Sequence, residues 1–307
     1  MRTRVLGDAM ARSLRTASLL AAGLCGLLAA APALAGDETP APALPDLKTF
    51  LADVRGRLHS DDFLLEQYTF TERQTQRQLD PMGNVKRVTS TRYEVYPSSE
   101  PGHTYRRLVE RDGKPLTPDE MAKEDRKQES KEANRDARLA GGDESRRAAA
   151  EVERRSKETR AIDELFRVYD IRMAGRETLD CRSAIVLTFE PRPGVEPATR
   201  GGKILRKFAG RAWIDEGDRQ LVRVEAALTD DLSIGLGLLA KLKKGAHAEI
   251  QRRKVNDEIW LPAEARFVGH GRLFLVKGLH IDSLSEYSDY KKFSVATDAS
   301  VKTDLQN

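Results

Sequence analysis

The sequence predicts an α+β protein: a strongly curved antiparallel sheet wrapped around a few helices, with a charged helical insertion. Three observations predict it. From Phe63 onward, segment after segment alternates apolar and polar residues with a period of two, the mark of strands with one dry and one wet face. Turn signals such as Asp112-Gly113 and Asn256-Asp257 separate these segments without crossover helices, so neighbouring strands run antiparallel. The helices are too few to cover both faces of so long a sheet, and a sheet that curls its dry face inward resolves this.

The N-terminus predicts export. Arg2, Arg4, Arg12 and Arg15 form a positive leader, an apolar run spans Ala17 to Ala31, and Ala33-Leu34-Ala35 precedes Gly36 with small residues where a signal peptidase reads. The run is too short to cross a bilayer, which needs about 20 residues. Cys25 follows Leu24 rather than a small residue, which argues against a lipoprotein signal. Cleavage after residue 35 would leave 272 residues, reduce the net charge from +4 to about +1, and remove the basis for a nucleic-acid reading. Cys181 would then be the only cysteine, so the fold must hold by its core rather than by a disulfide.

Residues 36–45, rich in Pro and Ala, read as a tether before a domain at 46–293 and a tail at 294–307. Asp46 is placed to cap a helix whose Leu47, Phe50, Leu51, Val54 and Leu58 share one face. Strands then follow around Tyr68–Arg73, Thr91–Val95 and Tyr105–Glu110. At Thr117-Pro118-Asp119-Glu120 a capping box opens the insertion, 118–160, which carries 24 charged residues in 43, 12 of each sign. So little apolar surface predicts charged helices or partly disordered arms projecting into solvent, or a docking arm for a partner. Ile162, Leu165, Phe166 and Tyr169 then rejoin the body, and hairpins fill Asp170–Tyr290.

No catalytic, metal or cofactor motif is present. The chain lacks GxxxxGK[ST], GxGxxG after a strand, HExxH and GxSxG, and its five histidines are scattered singly. Cys181 lies in a Leu-Asp-Cys-Arg turn that suits an ordinary thiol. One segment stands apart: Leu232-Ser-Ile234-Gly-Leu236-Gly-Leu238-Leu239, followed by Lys241, Lys243 and Lys244. Ile234, Leu236, Leu238 and Leu239 read either as a flap that touches lipid, with lysines toward headgroups, or as a buried plug at one end of the sheet.

The run Arg211-Ala-Trp-Ile-Asp-Glu-Gly-Asp-Arg-Gln-Leu-Val-Arg-Val-Glu, the later Lys254-Val-Asn-Asp-Glu-Ile-Trp-Leu-Pro and the closing Tyr287-Ser-Asp-Tyr-Lys-Lys-Phe resemble periplasmic lipoprotein carriers of the LolA/LolB/LppX/RseB type, including outer-membrane lipoprotein-sorting proteins. The likeness covers Asp46–Val109 weakly and Val168–Phe293 better; the charged insertion is foreign to the short carriers. The resemblance implies an incomplete β-barrel around an apolar cavity, in the periplasm of a Gram-negative-type envelope, with lipid or lipoprotein acyl chains as partners; transient membrane-surface contact is the expectation from the Leu232–Lys244 segment. Trp213, Val222, Val224, Phe267 and Phe274, on predicted dry faces, are the expected lining, each equally suited to ordinary core. The alternatives are an envelope sensor or interaction protein using the arm at 118–160 without lipid transfer, and, less favoured, an exported hydrolase.

Overall fold

The computed structural model describes residues 42–97, 104–139, 144–234, 240–273 and 277–293. The expected export signal, most of the tether and the tail lie outside them. Five helices are described: α1 (Leu47–Arg57), α2 (Asp61–Leu65), α3 (Pro118–Leu139), α4 (Glu144–Val168) and α5 (Arg200–Leu205). The strands are β1 (Tyr68–Leu79), β2 (Val85–Pro97), β3 (Thr104–Arg111), β4 (Lys114–Pro115), β5 (Tyr169–Leu179), β6 (Arg182–Pro191), β7 (Phe208–Asp215) and β8 (Leu221–Leu228). They continue as β9 (Leu232–Ile234), β10 (Ala240–Leu242), β11 (His247–Val255), β12 (Ile259–Leu273) and β13 (Lys277–Lys292). Among the described residues no helix is long and apolar enough to cross a membrane.

All thirteen strands form one antiparallel sheet in the order β4-β3-β2-β1-β13-β12-β11-β8-β7-β6-β5, with β9 and β10 alongside the far end of β12. β4 and β5 are the two ends of this order, so the sheet is open rather than closed into a barrel. The turns follow from their residues. Asn256-Asp257 adopts positive φ within the three-residue loop between Val255 and Ile259, and Asp112-Gly113 holds both loop positions of a tight two-residue hairpin at positive φ. Asp180-Cys181 does the same and leaves Cys181 exposed.

Register assigns the two faces. One continuous row pairs Leu187 with Ala212, Ala212 with Val224, Val224 with Ile250, Ile250 with Ala265, Ala265 with Ser285, and Ser285 with Gln74. The parallel row runs Phe189, Gly210, Ala226, Ala248, Phe267, Ser283, Gln76. Between them, with side chains on the opposite face, runs Thr188, Arg211, Glu225, Glu249, Arg266, Leu284, Thr75. One face is therefore apolar over β6–β12, and the other is an ion-pair lattice that includes Arg223–Glu249 (2.7 Å) and Arg266–Asp282 (3.0 Å).

Both N-terminal helices lie on the apolar face, at different places. Asp46 caps α1 by accepting from the Thr49 amide at 2.9 Å, and α1 buries Phe50 and Val54 against Ile185, Leu187 and Ile214. Leu64 and Leu65 of α2 pack with Phe70, Val95, Val255 and Leu261. Two cores result on this face, separated along the sheet, and a smaller cluster of Ala184, Val186 and Trp213 lies on the opposite face.

The insertion departs from expectation. Its capping box forms as predicted: Thr117 Oγ1 accepts from the Glu120 amide at 3.3 Å, and the Glu120 carboxylate accepts from the Thr117 amide at 2.9 Å. Yet the helices do not simply project into solvent. α3 is pinned to β3 through Tyr105–Asp125 (2.9 Å) and Arg111–Glu124 (3.2 Å). α4 is pinned to the α1–α2 segment through Arg55–Asp163 (2.5 Å), the Ser60 amide donating to Glu158 (2.9 Å), and Arg154–Glu66 (2.6 Å). Polar contacts at helical spacing supply the attachment that apolar residues do not, which is why composition alone misjudges it.

Candidate functional site: an apolar trough

Between the two cores, six side chains of the apolar face belong to neither: Val224, Ala226, Ala248, Ile250, Ala265 and Phe267. All six are half-buried. They form a trough floored by small residues. Gly210 extends it, because a Cβ there would meet the Glu225 carbonyl oxygen at 1.9 Å; the close approach of β7 and β8 excludes any side chain. Phe267 lays its ring over Gly269, where a Cβ would stand 2.9 Å from the ring. Phe189, at the β6 end of the row, stacks edge-on against Tyr169 at 4.9 Å.

Toward β13 and β1 the same rows become Ser283, Ser285, Gln74 and Gln76. The trough thus has an apolar half and a polar half on one face, a surface suited to an amphipathic guest. Each methylene that an acyl chain buries is worth about 0.8 kcal/mol, and the bilayer offers the same, so a carrier needs a surface of this dry kind to make transfer nearly neutral.

The residues expected to line a cavity do not share one surface. Trp213 pairs with Arg223 while its neighbour Ala212 pairs with Val224, so Trp213 lies on the charged face. There its ring stacks under Arg211 (4.8 Å) and Arg223 (5.1 Å), and its indole N–H donates to Glu177 at 2.8 Å. The Trp-Ile-Asp alternation is read with the wrong phase, because an aromatic clamped between guanidiniums looks apolar in sequence. Val222 is buried at the register shift where β8 bulges against Trp213 and Ile214. Val224 and Phe267 are in the trough. Phe274, Leu236, Leu238 and Leu239 lie outside the described residues; Ile234 ends β9, whose three residues pair with β10 as a short hairpin. The two-residue period already puts Ala226, Ala248, Ile250 and Ala265 on dry strand faces; only the register shows that they lie side by side, with Gly210 beside them.

A second hollow, of about 290 Å³, lies beside the α1–α2 segment and is lined by Arg57, His59, Leu64, Tyr68, Ile259 and Lys292, among others. Nearby, the buried Asp215 accepts two hydrogen bonds from Arg182, at 2.6 and 2.9 Å. Asp218 joins Arg182, Lys254 and the Trp260 indole at 2.9, 2.9 and 2.8 Å, and although burial opposes its charge, Lys254 and Trp260 hold its carboxyl below the ordinary value. These groups are saturated by one another and serve to lock the sheet's end. Among the described residues no group of three or more His, Cys, Asp or Glu is placed to hold a metal.

No family model and no curated protein matches the chain. Solved structures do. A DUF1329 family protein from Desulfovibrio piger is similar at 11% identity and a TM-score of 0.32, over 83% of this chain and 97% of its own. A LolA superfamily protein from Nitrosomonas europaea is similar at 10% and 0.30, over 82% and 96%. An outer membrane lipoprotein-sorting protein domain from Vibrio parahaemolyticus, described as putative, is similar at 8% and 0.30, over 81% and 94%. The matches also include Pseudomonas aeruginosa MucB with MucA, at a TM-score of 0.23. At these scores the likenesses carry no argument of their own, and the functional reading rests on the trough.

Proposed function

We propose that this protein is an exported envelope carrier that binds the acyl chains of a lipid or lipoprotein along the trough between α1 and α2. One observation carries the reading: Val224, Ala226, Ala248, Ile250, Ala265 and Phe267 line up in register on the helix-bearing face, half-buried and outside both cores. A face that served only packing would be covered by a helix at this point, as Ile185 and Leu187 are by α1. The serine and glutamine half of the rows supplies hydrogen-bonding groups for the polar end of an amphipathic guest. Lipoprotein sorting is the specific form of carriage that the sequence resemblance suggests.

The test is direct. Protein purified without detergent is analysed by native mass spectrometry and by solvent extraction. Acyl-chain ligand at stoichiometric level supports the proposal; protein that stays empty even after incubation with lipid vesicles rejects it.

A second reading has its own observation. α3 and α4 present charged helix surface while being anchored to the body, which suits a docking platform for a protein partner. Replacing residues 118–160 with a short linker would then abolish partner capture and leave acyl-chain binding intact.

A further inference from the structure

Three chain segments meet at one end of β7, β8 and β11, and their charges do not balance. The Lys207 carbonyl, at the end of α5, accepts from the Thr229 amide after β8 at 2.8 Å, and the Lys207 ammonium reaches Asp230 at 2.6 Å. Asp231 joins the third segment: it pairs with Lys241 and Lys243, each at 3.1 Å, and accepts from the Lys244 amide at 3.0 Å. That backbone bond, with the two ammoniums, holds the Asp231 carboxyl far below the ordinary range.

The rim so assembled carries Lys203, Arg206 and Lys207 from one side and Lys241, Lys243 and Lys244 from the other. Facing them are the carboxylates of Glu196, Asp230 and Asp231. Lys203 and Lys244 are exposed and have no acidic partner among the described residues. A hollow of about 320 Å³ opens among Glu196, Lys203, Arg206, Lys207 and Asp230. On the outer face of the sheet, by contrast, Arg92, Arg223 and Arg266 are each paired with a glutamate or aspartate.

We propose that this rim docks on a bilayer surface through anionic phospholipid headgroups. Clustered Lys and Arg beside a hydrophobic element are attracted by the negative potential of such a surface, and the attraction weakens with salt. Placement supports the choice of a membrane. Gly210, Ala226 and Ala248, the nearest row of the trough, each lie only three residues along β7, β8 and β11 from Lys207, Thr229 and Gly245. An acyl chain leaving the trough at this end would emerge at the headgroup layer, about 10 Å away at strand rise. The inference rests on the carrier reading for its purpose, though not for its test.

The experiment is co-sedimentation of the purified protein with phosphatidylcholine vesicles, with and without phosphatidylglycerol. Binding is expected only when phosphatidylglycerol is present, and it should fade as salt is raised. The triple variant Lys203→Gln, Arg206→Gln, Lys244→Gln, all at exposed positions, should weaken partitioning by about fivefold per residue, roughly a hundredfold together. A control that neutralises Lys86, Arg87 and Lys114, exposed on other turns and strands, should leave it unchanged. Equal binding to both vesicle types, or equal loss in the control, overturns the proposal. Native mass spectrometry of the same samples separates the two ideas. Acyl ligand retained by protein that ignores anionic vesicles rejects the docking rim alone, and vesicle binding by protein that never holds ligand rejects the carrier alone.

Discussion

A Cβ atom at Gly202 would lie 2.1 Å from Oε1 of Glu164. Glu164 ends α4 as a buried carboxylate that accepts from the amides of Ala198 (2.7 Å) and Thr199 (3.2 Å), leading into α5, and from Arg167 (2.7 Å). Burial opposes its charge, but these donors outweigh it and hold the carboxyl below its ordinary value. Even one methyl at 202 must displace this junction. Gly202→Ala is expected to cost about 1–3 kcal/mol of stability, measurable as a lower urea midpoint with an unchanged slope. A neutral result would mean that α4 and α5 are not held together here.

The trough makes a steric prediction. Ala226→Trp places a large ring on its floor and should abolish acyl-chain retention in native mass spectra. Thr75→Trp puts the same ring on the opposite face of the sheet and should leave retention intact. Loss in both variants would point to general damage rather than a blocked site.

Trp213 offers the converse. Because it stacks under two arginines on the charged face, Trp213→Phe should not change lipid affinity, and Trp213 fluorescence should not respond when ligand binds. Quenching by ligand, measured in a Trp260→Phe background, would place the guest on the charged face and contradict carriage in the trough.

The anchors of α4 predict a gradient of motion. Amides from Arg154 to Val168 should exchange hydrogen slowly, and Arg55→Ala with Arg154→Ala should speed their exchange. The melting temperature should move by only a few degrees, since exposed ion pairs contribute about 0–1 kcal/mol each. If exchange there is already fast in the unaltered protein, the helix is not docked.

Acid should act late. Glu151 is held at about 2 by Arg154 and Arg155, and Glu216 is lowered by Arg176 against the opposing effect of burial. Both folded values lie below the ordinary 4.5, so their contribution is complete above that pH and is lost as pH falls through the lower values. Urea midpoints should stay level from neutral pH to about 4.5 and drop only below it. A decline that begins near pH 6 would contradict these pairings.

Much of the architecture was legible in sequence. Asp46 as a cap, the Thr117–Glu120 box and the Asp112-Gly113 and Asn256-Asp257 turns all act locally, so their chemistry could be read from neighbours. The two-residue period predicted a sheet with a dry and a wet face, which Val224 and Glu225 display. Phase was harder: a bulge between Trp213 and Ile214 and a cation-clamped indole reversed the assignment of Trp213. The trough was legible in part: the period puts Val224, Ala226, Ala248 and Phe267 on dry faces, but their alignment, and the place of Gly210 beside them, comes only from the register of the strands. Nor was the docking of the insertion, since Arg55–Asp163 and Arg154–Glu66 join residues whose separation in sequence carries no periodic signal.

The route of the chain gives the charged insertion a mechanical role. α3 departs beside β3 and β4, at one lip of the open sheet, and α4 enters β5, at the other. Twenty-five helical residues, about 37 Å of stiff rod, therefore belong to a covalent strap joining the two lips. Widening the sheet must swing or unlatch that strap. The Arg55–Asp163 and Arg154–Glu66 pairs along α4 oppose any such swing.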